Sequence, residues 1–131
     1  MGVSNTPIGK ALVNSKGLTV YLFKADRGTK SACTGACASA WPPLLATGKP
    51  SVGSGLKASL IGTTMRTDGK TQVTYNGHPL YLFAQDHEAG EANGQGVTAF
   101  GAAWFALDSA GNQASGQSSS STTSGGGGLG Y

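Results

Sequence analysis

Beyond Lys70 the sequence contains no lysine and no arginine. All nine basic residues stand in positions 1–70 against two acids, Asp26 and Asp68, a balance of +7. Positions 71–131 hold Asp86, Glu88, Glu91 and Asp108, a balance of −4, and the two halves together give the net +3 of the chain. No arginine-rich patch is interleaved with aromatic residues, so nucleic acid is not an expected partner. Halves of opposite sign attract each other, or a neighbouring molecule head to tail, but only at short range because salt screens them. Also missing are an apolar run long enough to span a bilayer and a secretory leader. The start Met1-Gly2-Val3-Ser4-Asn5-Thr6 formally fits an N-myristoylation pattern. A Met-Gly start in place of a removed export signal is the simpler reading. Membrane attachment is then expected only through an N-terminal anchor that is removed or absent.

Cysteine and histidine are equally scarce, with two of each. Charged residues are only 11% of the chain, glycine is abundant, and the cysteines, Cys33 and Cys37, form one close pair. That composition suits an extracytoplasmic protein, secreted or at the cell surface, better than a cytosolic one. Four positions apart, on a helical turn or in a tight loop, two cysteines can bring their Cα atoms within disulfide range. A structural disulfide is the expectation, ahead of a redox pair, a metal pair or haem attachment, because no C-x-x-C-H occurs and no histidine stands close by. Catalytic patterns are missing too: no G-x-S-x-G, no cysteine with a neighbouring base, and no arguable carboxylate pair. The chain is not expected to be an enzyme.

What is present is a duplication. Gly17-Leu18-Thr19-Val20-Tyr21-Leu22-Phe23-Lys24-Ala25-Asp26 returns sixty residues later as Gly77-His78-Pro79-Leu80-Tyr81-Leu82-Phe83-Ala84-Gln85-Asp86. The same offset lays Gly9-Lys10 on Gly69-Lys70 and Val13 on Val73, and three further residues bring Trp41 onto Trp104. A register held over so many positions marks an internal repeat. We place repeat one at about 9–58 and repeat two at about 59–108, together forming one domain over 1–108. From Ser109 the composition is Ser, Gly, Thr, Asn and Gln with a pure glycine run at 125–128, so 109–131 reads as a flexible tail.

Local signals predict an all-β fold, mostly antiparallel, with one short helix. Ala11-Leu12-Val13 and Leu18 to Phe23 are β-rich runs joined by Asn14-Ser15-Lys16-Gly17, a hairpin turn. In the second run Thr19, Tyr21 and Phe23 face one side and Leu18, Val20 and Leu22 the other, both largely apolar, which predicts a central, covered strand. Asp26 to Lys30 reads as a polar loop. Ser31 to Ala40 is the helix candidate, capped by Ser31 or Thr34 and ended by Trp41-Pro42-Pro43. Thr47 to Gly55 is a Gly/Pro/Ser connector. Ser59 to Arg66, Thr71 to Tyr75 and Pro79 to Phe83 form a predicted three-stranded meander with Asp68-Gly69 and Asn76-Gly77 turns. Asp86 to Gly96 is a polar loop and Ala103 to Leu107 a last strand. Two units of about fifty residues bury too little surface alone, so they should share a core, with the two motif copies as equivalent strands.

Both Tyr21-Leu22-Phe23-Lys24-Ala25-Asp26 and Tyr81-Leu82-Phe83-Ala84-Gln85-Asp86 fit Y-x-(F/W/Y)-x-x-D. With Cys33-Thr34-Gly35-Ala36-Cys37 leading to Trp41-Pro42-Pro43, Arg66-Thr67-Asp68-Gly69, Gln72 to Tyr81 and Asn93-Gly94-Gln95-Gly96, the chain resembles the bacterial secreted-repeat lipoproteins that carry this motif. The resemblance runs from about Gly9 to Gly111. It implies an exported cell-envelope or secreted protein of tandem repeats, often lipid-anchored, and brings no catalytic residues with it. A lipidation cysteine near the start is missing here.

Remaining candidates are weighed against plainer roles. His78, His87 and Asp86 could hold a transition metal, but no third ligand is fixed by spacing, so a packed turn histidine and a solvated one are expected. Asp86, Glu88, Glu91, Asn93 and Gln95 place oxygen ligands in a Gly-containing loop without EF-hand order; calcium is the weaker reading beside a solvated loop. Tyr21, Tyr81, Phe23, Phe83, Trp41 and Trp104 read as core rather than as a platform for sugar or haem. Asp26 and Asp86 are expected to fix the turns after their strands by bonding backbone N–H groups. No cofactor is therefore expected. The functional expectation is an exported structural or binding module that associates with itself or with other envelope components. The alternative is an envelope redox, metal or haem protein using Cys33 and Cys37 or His78 and His87.

Overall fold

A computed structural model of the chain describes residues 1–6, 8–46, 53 and 55–114. Strands β1 (Gly2–Thr6) and β2 (Gly9–Val13) form a two-stranded sheet. Next come β3 (Tyr21–Phe23), a five-residue helix α1 (Ala36–Ala40) and a 3-10 turn at Ala58–Leu60. Strands β4 (Ile61–Met65), β5 (Thr71–Tyr75) and β6 (His78–Pro79) form the second sheet in that order. Strands β7 (Thr98–Ala99) and β8 (Ala102–Ala106) join β3 in the third, ordered β3-β8-β7, and every pairing is antiparallel. The fold is all-β with one short helix and two repeats.

The expected meander over β4, β5 and β6 is present, and its Asn76-Gly77 turn places both residues at positive φ (51° and 79°), as a tight two-residue hairpin needs. The first hairpin is partly corrected. Its turn forms, with Asn14 Oδ1 accepting the N–H groups of Lys16 and Leu18, and Val13 bridges Thr19. Yet the main partner of β2 is β1, a strand whose polar composition gave no apolar alternation to find, and β3 pairs with β8. The helix is shorter than Ser31–Ala40. Gly35 at φ +59° precedes it, and no side chain caps it. The Ser31 hydroxyl is occupied elsewhere, within hydrogen-bond reach of Tyr81 Oη.

The repeats are related by a pseudo-twofold passing between Tyr21 and Tyr81, whose N–H groups each donate to the other's carbonyl at 2.8 and 2.9 Å. Matched bonds extend outward from that pair. Leu12 N–H donates to Leu107 O as Val73 N–H does to Leu44 O, and Lys24 N–H to Ala103 O as Ala84 N–H does to Ala40 O. Leu12 is thus equivalent to Val73, an offset of 61. The Gly9-Lys10 match to Gly69-Lys70 is therefore one residue out of register, because the first turn is longer by one: Val13 opposes Thr19, whereas Thr74 opposes Pro79. Strand β1 is the counterpart of β4, which extends repeat one back to Gly2 rather than Gly9.

The copies also exchange partners. The aromatic strand of repeat one lies on the tryptophan strand of repeat two, with Tyr21 opposite Ala106, Leu22 opposite Phe105 and Phe23 opposite Trp104. The aromatic segment of repeat two lies on the tryptophan segment of repeat one, with Tyr81 opposite Pro43 and Leu82 N–H donating to Pro42 O at 2.7 Å. Prolines 42 and 43 lack N–H donors, so this second ladder is incomplete. For that reason the predicted strand Pro79–Phe83 is regular only over His78–Pro79.

Packing follows the alternation read from the sequence. One face of the central strands meets an aromatic cluster with Tyr21, Phe23, Trp41, Tyr81 and Trp104; the other meets an aliphatic one with Leu12, Val20, Leu22, Val73, Leu80 and Leu107. The tail begins later than Ser109. Asp108 Oδ1 accepts the N–H groups of Ala110 and Asn112, Ala114 N–H reaches Ala106 O at 2.8 Å, and Ala114 is buried. Positions 115–131, and most of the connector from Thr47 to Gly55, lie outside the described residues.

Candidate functional site

The motif residues converge at the centre of the molecule. Trp41 and Trp104 stack with ring centroids 3.9 Å apart and planes 4° from parallel. Phe23 stacks on the outer face of Trp104 at 3.9 Å and Phe83 on that of Trp41 at 4.0 Å, making a four-ring column. Tyr21 stands edge-on to Trp41 at 5.5 Å, and Tyr81 edge-on to Trp104 at 5.1 Å. Such edge and stacked contacts add to the large area each ring buries. The match between copies is not complete, since Phe23 is buried and Phe83 only half-buried.

The hydroxyls tie one copy to the other. Tyr21 Oη donates to Asp86 Oδ2 at 2.5 Å, and Tyr81 Oη donates to Asp26 Oδ2 at 2.8 Å. Each tyrosine of the motif is thus satisfied by the aspartate of the opposite copy. The second oxygen of each carboxylate does what was expected of it: Asp26 Oδ1 accepts from Ala32 N–H at 2.7 Å and Asp86 Oδ1 from Asn93 N–H at 2.9 Å. Burial, with the facing carboxylate, holds both phenols well above their usual range. Burial also raises Asp26, against the opposing pull of the Ala32 N–H, the Tyr81 hydroxyl and Arg66.

Around this shared centre the two ends differ. Beside Tyr81 the buried guanidinium of Arg66 donates to Cys33 O at 2.7 Å, Gln72 Oε1 at 2.9 Å and Ser31 Oγ at 3.0 Å. The Tyr81 hydrogen is committed to Asp26, so Ser31 serves as donor to Tyr81 Oη. Arg66 also meets Asp68 at 3.2 Å, but Asp68 is exposed and that pair contributes little. Beside Tyr21 a glycine takes over. Gly94 N–H donates to Tyr21 Oη at 3.1 Å, and a Cβ on Gly94 would fall 2.8 Å from the Trp41 ring. Only glycine lets the backbone approach that closely. Arg66 and Gln72 were not singled out for this role in the sequence, because a polar side chain near an Asp-Gly turn looks like surface.

Cys33 and Cys37 are joined in a disulfide with Cα atoms 5.2 Å apart. Closing so short a loop stabilises by roughly 2 kcal/mol in the chain-entropy account. The metal candidates are not gathered into one site, and no group of three His, Cys, Asp or Glu able to hold an ion occurs among the described residues. Asp86 serves Tyr21 and Asn93. Glu91 Oε1 accepts the N–H groups of His87 and Glu88, which depresses its carboxyl below the usual range. Glu88 and His87 are exposed in that loop, while His78 lies in β6 opposite Tyr75. Burial, with the Lys24 charge nearby, lowers the His78 imidazole.

An intertwined pair of β repeats closed by crossed tyrosine–aspartate bonds defines a tandem-repeat protein whose two halves complete each other. A family model described as a secreted repeat of unknown function matches residues 2–45 and 62–108. The chain belongs to that family, and the two matched segments coincide with the two structural repeats. No curated protein and no solved structure matches the chain. The family's description as secreted accords with an extracytoplasmic, disulfide-bonded protein. No helix among the described residues is long and apolar enough to cross a membrane.

Proposed function

We propose that the chain is a non-catalytic module of the cell envelope or its exterior that acts through its surface, binding other envelope components or further copies of itself. One observation carries this reading. Every side chain of the Y-x-(F/W/Y)-x-x-D motif is turned inward and engaged in joining the copies, so the motif specifies the fold and leaves recognition to loops and sheet edges. Strands β1 and β4 lie at the outside of their sheets, where unpaired backbone groups can accept another strand. Lys24, Arg27 and Lys30 are exposed after one motif copy and Glu88 after the other. The antiparallel Tyr21–Tyr81 pair sends these loops toward opposite ends, an arrangement suited to association in series.

The experiment is metal analysis and visible absorbance on exported, natively purified protein, joined to sedimentation velocity at low and high salt. A colourless, metal-free protein whose association weakens with salt supports the module. A stoichiometric metal or a chromophore supports instead the envelope redox or metal/haem reading and overturns ours.

A further inference from the structure

The aromatic centre holds more chemistry than packing requires. Of the three tyrosines within the described residues, only Tyr21 and Tyr81 donate to a carboxylate, and these two also stand against the tryptophan pair. Tyr75 lies in the aliphatic cluster, where its hydroxyl donates to Ser109 O at 2.7 Å and accepts from Lys57 N–H, with no base in reach. A phenol gives up an electron readily only if its proton leaves at the same time, because the oxidised phenol is a strong acid. A hydrogen-bonded carboxylate supplies that acceptor without movement of heavy atoms. Two indoles stacked at 3.9 Å share a positive charge between them. Tyr21, Trp41, Trp104 and Tyr81 thus form a continuous path with ring separations of 5.5, 3.9 and 5.1 Å.

We propose that this centre is a one-electron oxidation site, a sink in which an oxidising equivalent from a small radical or high-potential metal oxidant outside the cell comes to rest on Tyr21 or Tyr81. The oxidant takes one electron from the stacked tryptophans and is itself reduced. Phe83, half-buried and stacked on Trp41 at 4.0 Å, puts that pair one ring below the surface. The tryptophan cation then recovers its electron from Tyr21 or Tyr81. The Tyr21 proton passes to Asp86 Oδ2, or the Tyr81 proton to Asp26 Oδ2, leaving a neutral phenoxyl radical beside a carboxylic acid. A one-electron reductant of the thiol or ascorbate class restores the phenol as the carboxylic acid returns its proton. Burial of both tyrosines keeps the radical from coupling with another molecule.

The test is flash photolysis of the full chain with a photogenerated ruthenium(III) oxidant, read by transient absorbance and by electron paramagnetic resonance of frozen samples. An indole signal should give way to a phenoxyl signal, and the transfer should be slower in D2O than in H2O. Tyr75→Phe and Tyr131→Phe should leave the phenoxyl yield unchanged. The double variant Tyr21→Phe/Tyr81→Phe should lose the phenoxyl and prolong the indole signal. A phenoxyl signal that survives in that variant overturns the proposal. If the variant does not fold, the unmodified protein decides: the same rate in D2O and H2O, or an indole radical that never passes to tyrosine, overturns it equally.

Discussion

If the tyrosine–aspartate bonds join the copies, mutational coupling must run between copies and be small within one. Tyr21→Phe removes the donor to Asp86 Oδ2 and also the acceptor of Gly94 N–H. A hydrogen bond to a charged group contributes about 1.5–3 kcal/mol, and a buried N–H left without a partner costs about 1–3 kcal/mol. Gly94 and Asp86 are both buried. Tyr21→Phe should therefore destabilise by about 2–4 kcal/mol, leaving a folded protein if its stability is in the usual 5–15 kcal/mol range. The double-mutant cycle of Tyr21→Phe with Asp86→Ala should give a coupling of about 1.5–3 kcal/mol. Tyr81→Phe with Asp26→Ala should couple in the same sense. The cycle pairing Tyr21→Phe with Asp26→Ala, residues of one motif copy that share no hydrogen bond, should be additive to within about 0.5 kcal/mol. Urea unfolding with the disulfide intact measures all of these, each midpoint falling without a change in slope. Within-copy coupling as large as that between copies, or between-copy coupling below about 0.5 kcal/mol, refutes the reasoning.

Two further outcomes follow from the same geometry. Phe23→Ala should cost about 3–5 kcal/mol and Phe83→Ala distinctly less, because Phe23 is buried and Phe83 is half-exposed at the other end of the column; equal losses in urea unfolding would contradict this. Asp26 lies above its ordinary 3.8, so the folded chain binds the extra proton between that value and its raised one. Its stabilising contribution is then present below 3.8 and lost as pH rises through the raised value. The stability of the unmodified protein relative to Asp26→Asn should thus be greatest at the acid end and fall toward neutral pH. The depressed carboxyls of Asp68 and Glu91 act in the opposite sense but cancel in the comparison, and a difference that grows toward neutral pH would refute the assignment.

The sequence by itself determined the features that depend on neighbours along the chain. Alternation on Thr19 to Phe23 announced a strand covered on both faces, and Asn76-Gly77 announced its turn, because side-chain direction and positive φ are local properties. The duplication, the disulfide spacing and the second role of Asp26 and Asp86 were legible for the same reason. The sequence was silent about β1, whose polar residues alternate with nothing apolar, and about the one-residue difference between the two turns. Tertiary structure alone decided which copy pairs with which. Tyr21 on its own tryptophan strand or on that of the other repeat buries the same faces, so no pattern along the chain separates the two arrangements. The difference lies in closure: the exchanged pairing brings both tryptophans face to face and each hydroxyl to the opposite aspartate. Arg66 and Gln72 acquire their role in the same way. A guanidinium that looks like surface beside an Asp-Gly turn becomes buried only when the chain from Ser31 to Cys33 folds over it and supplies its acceptors.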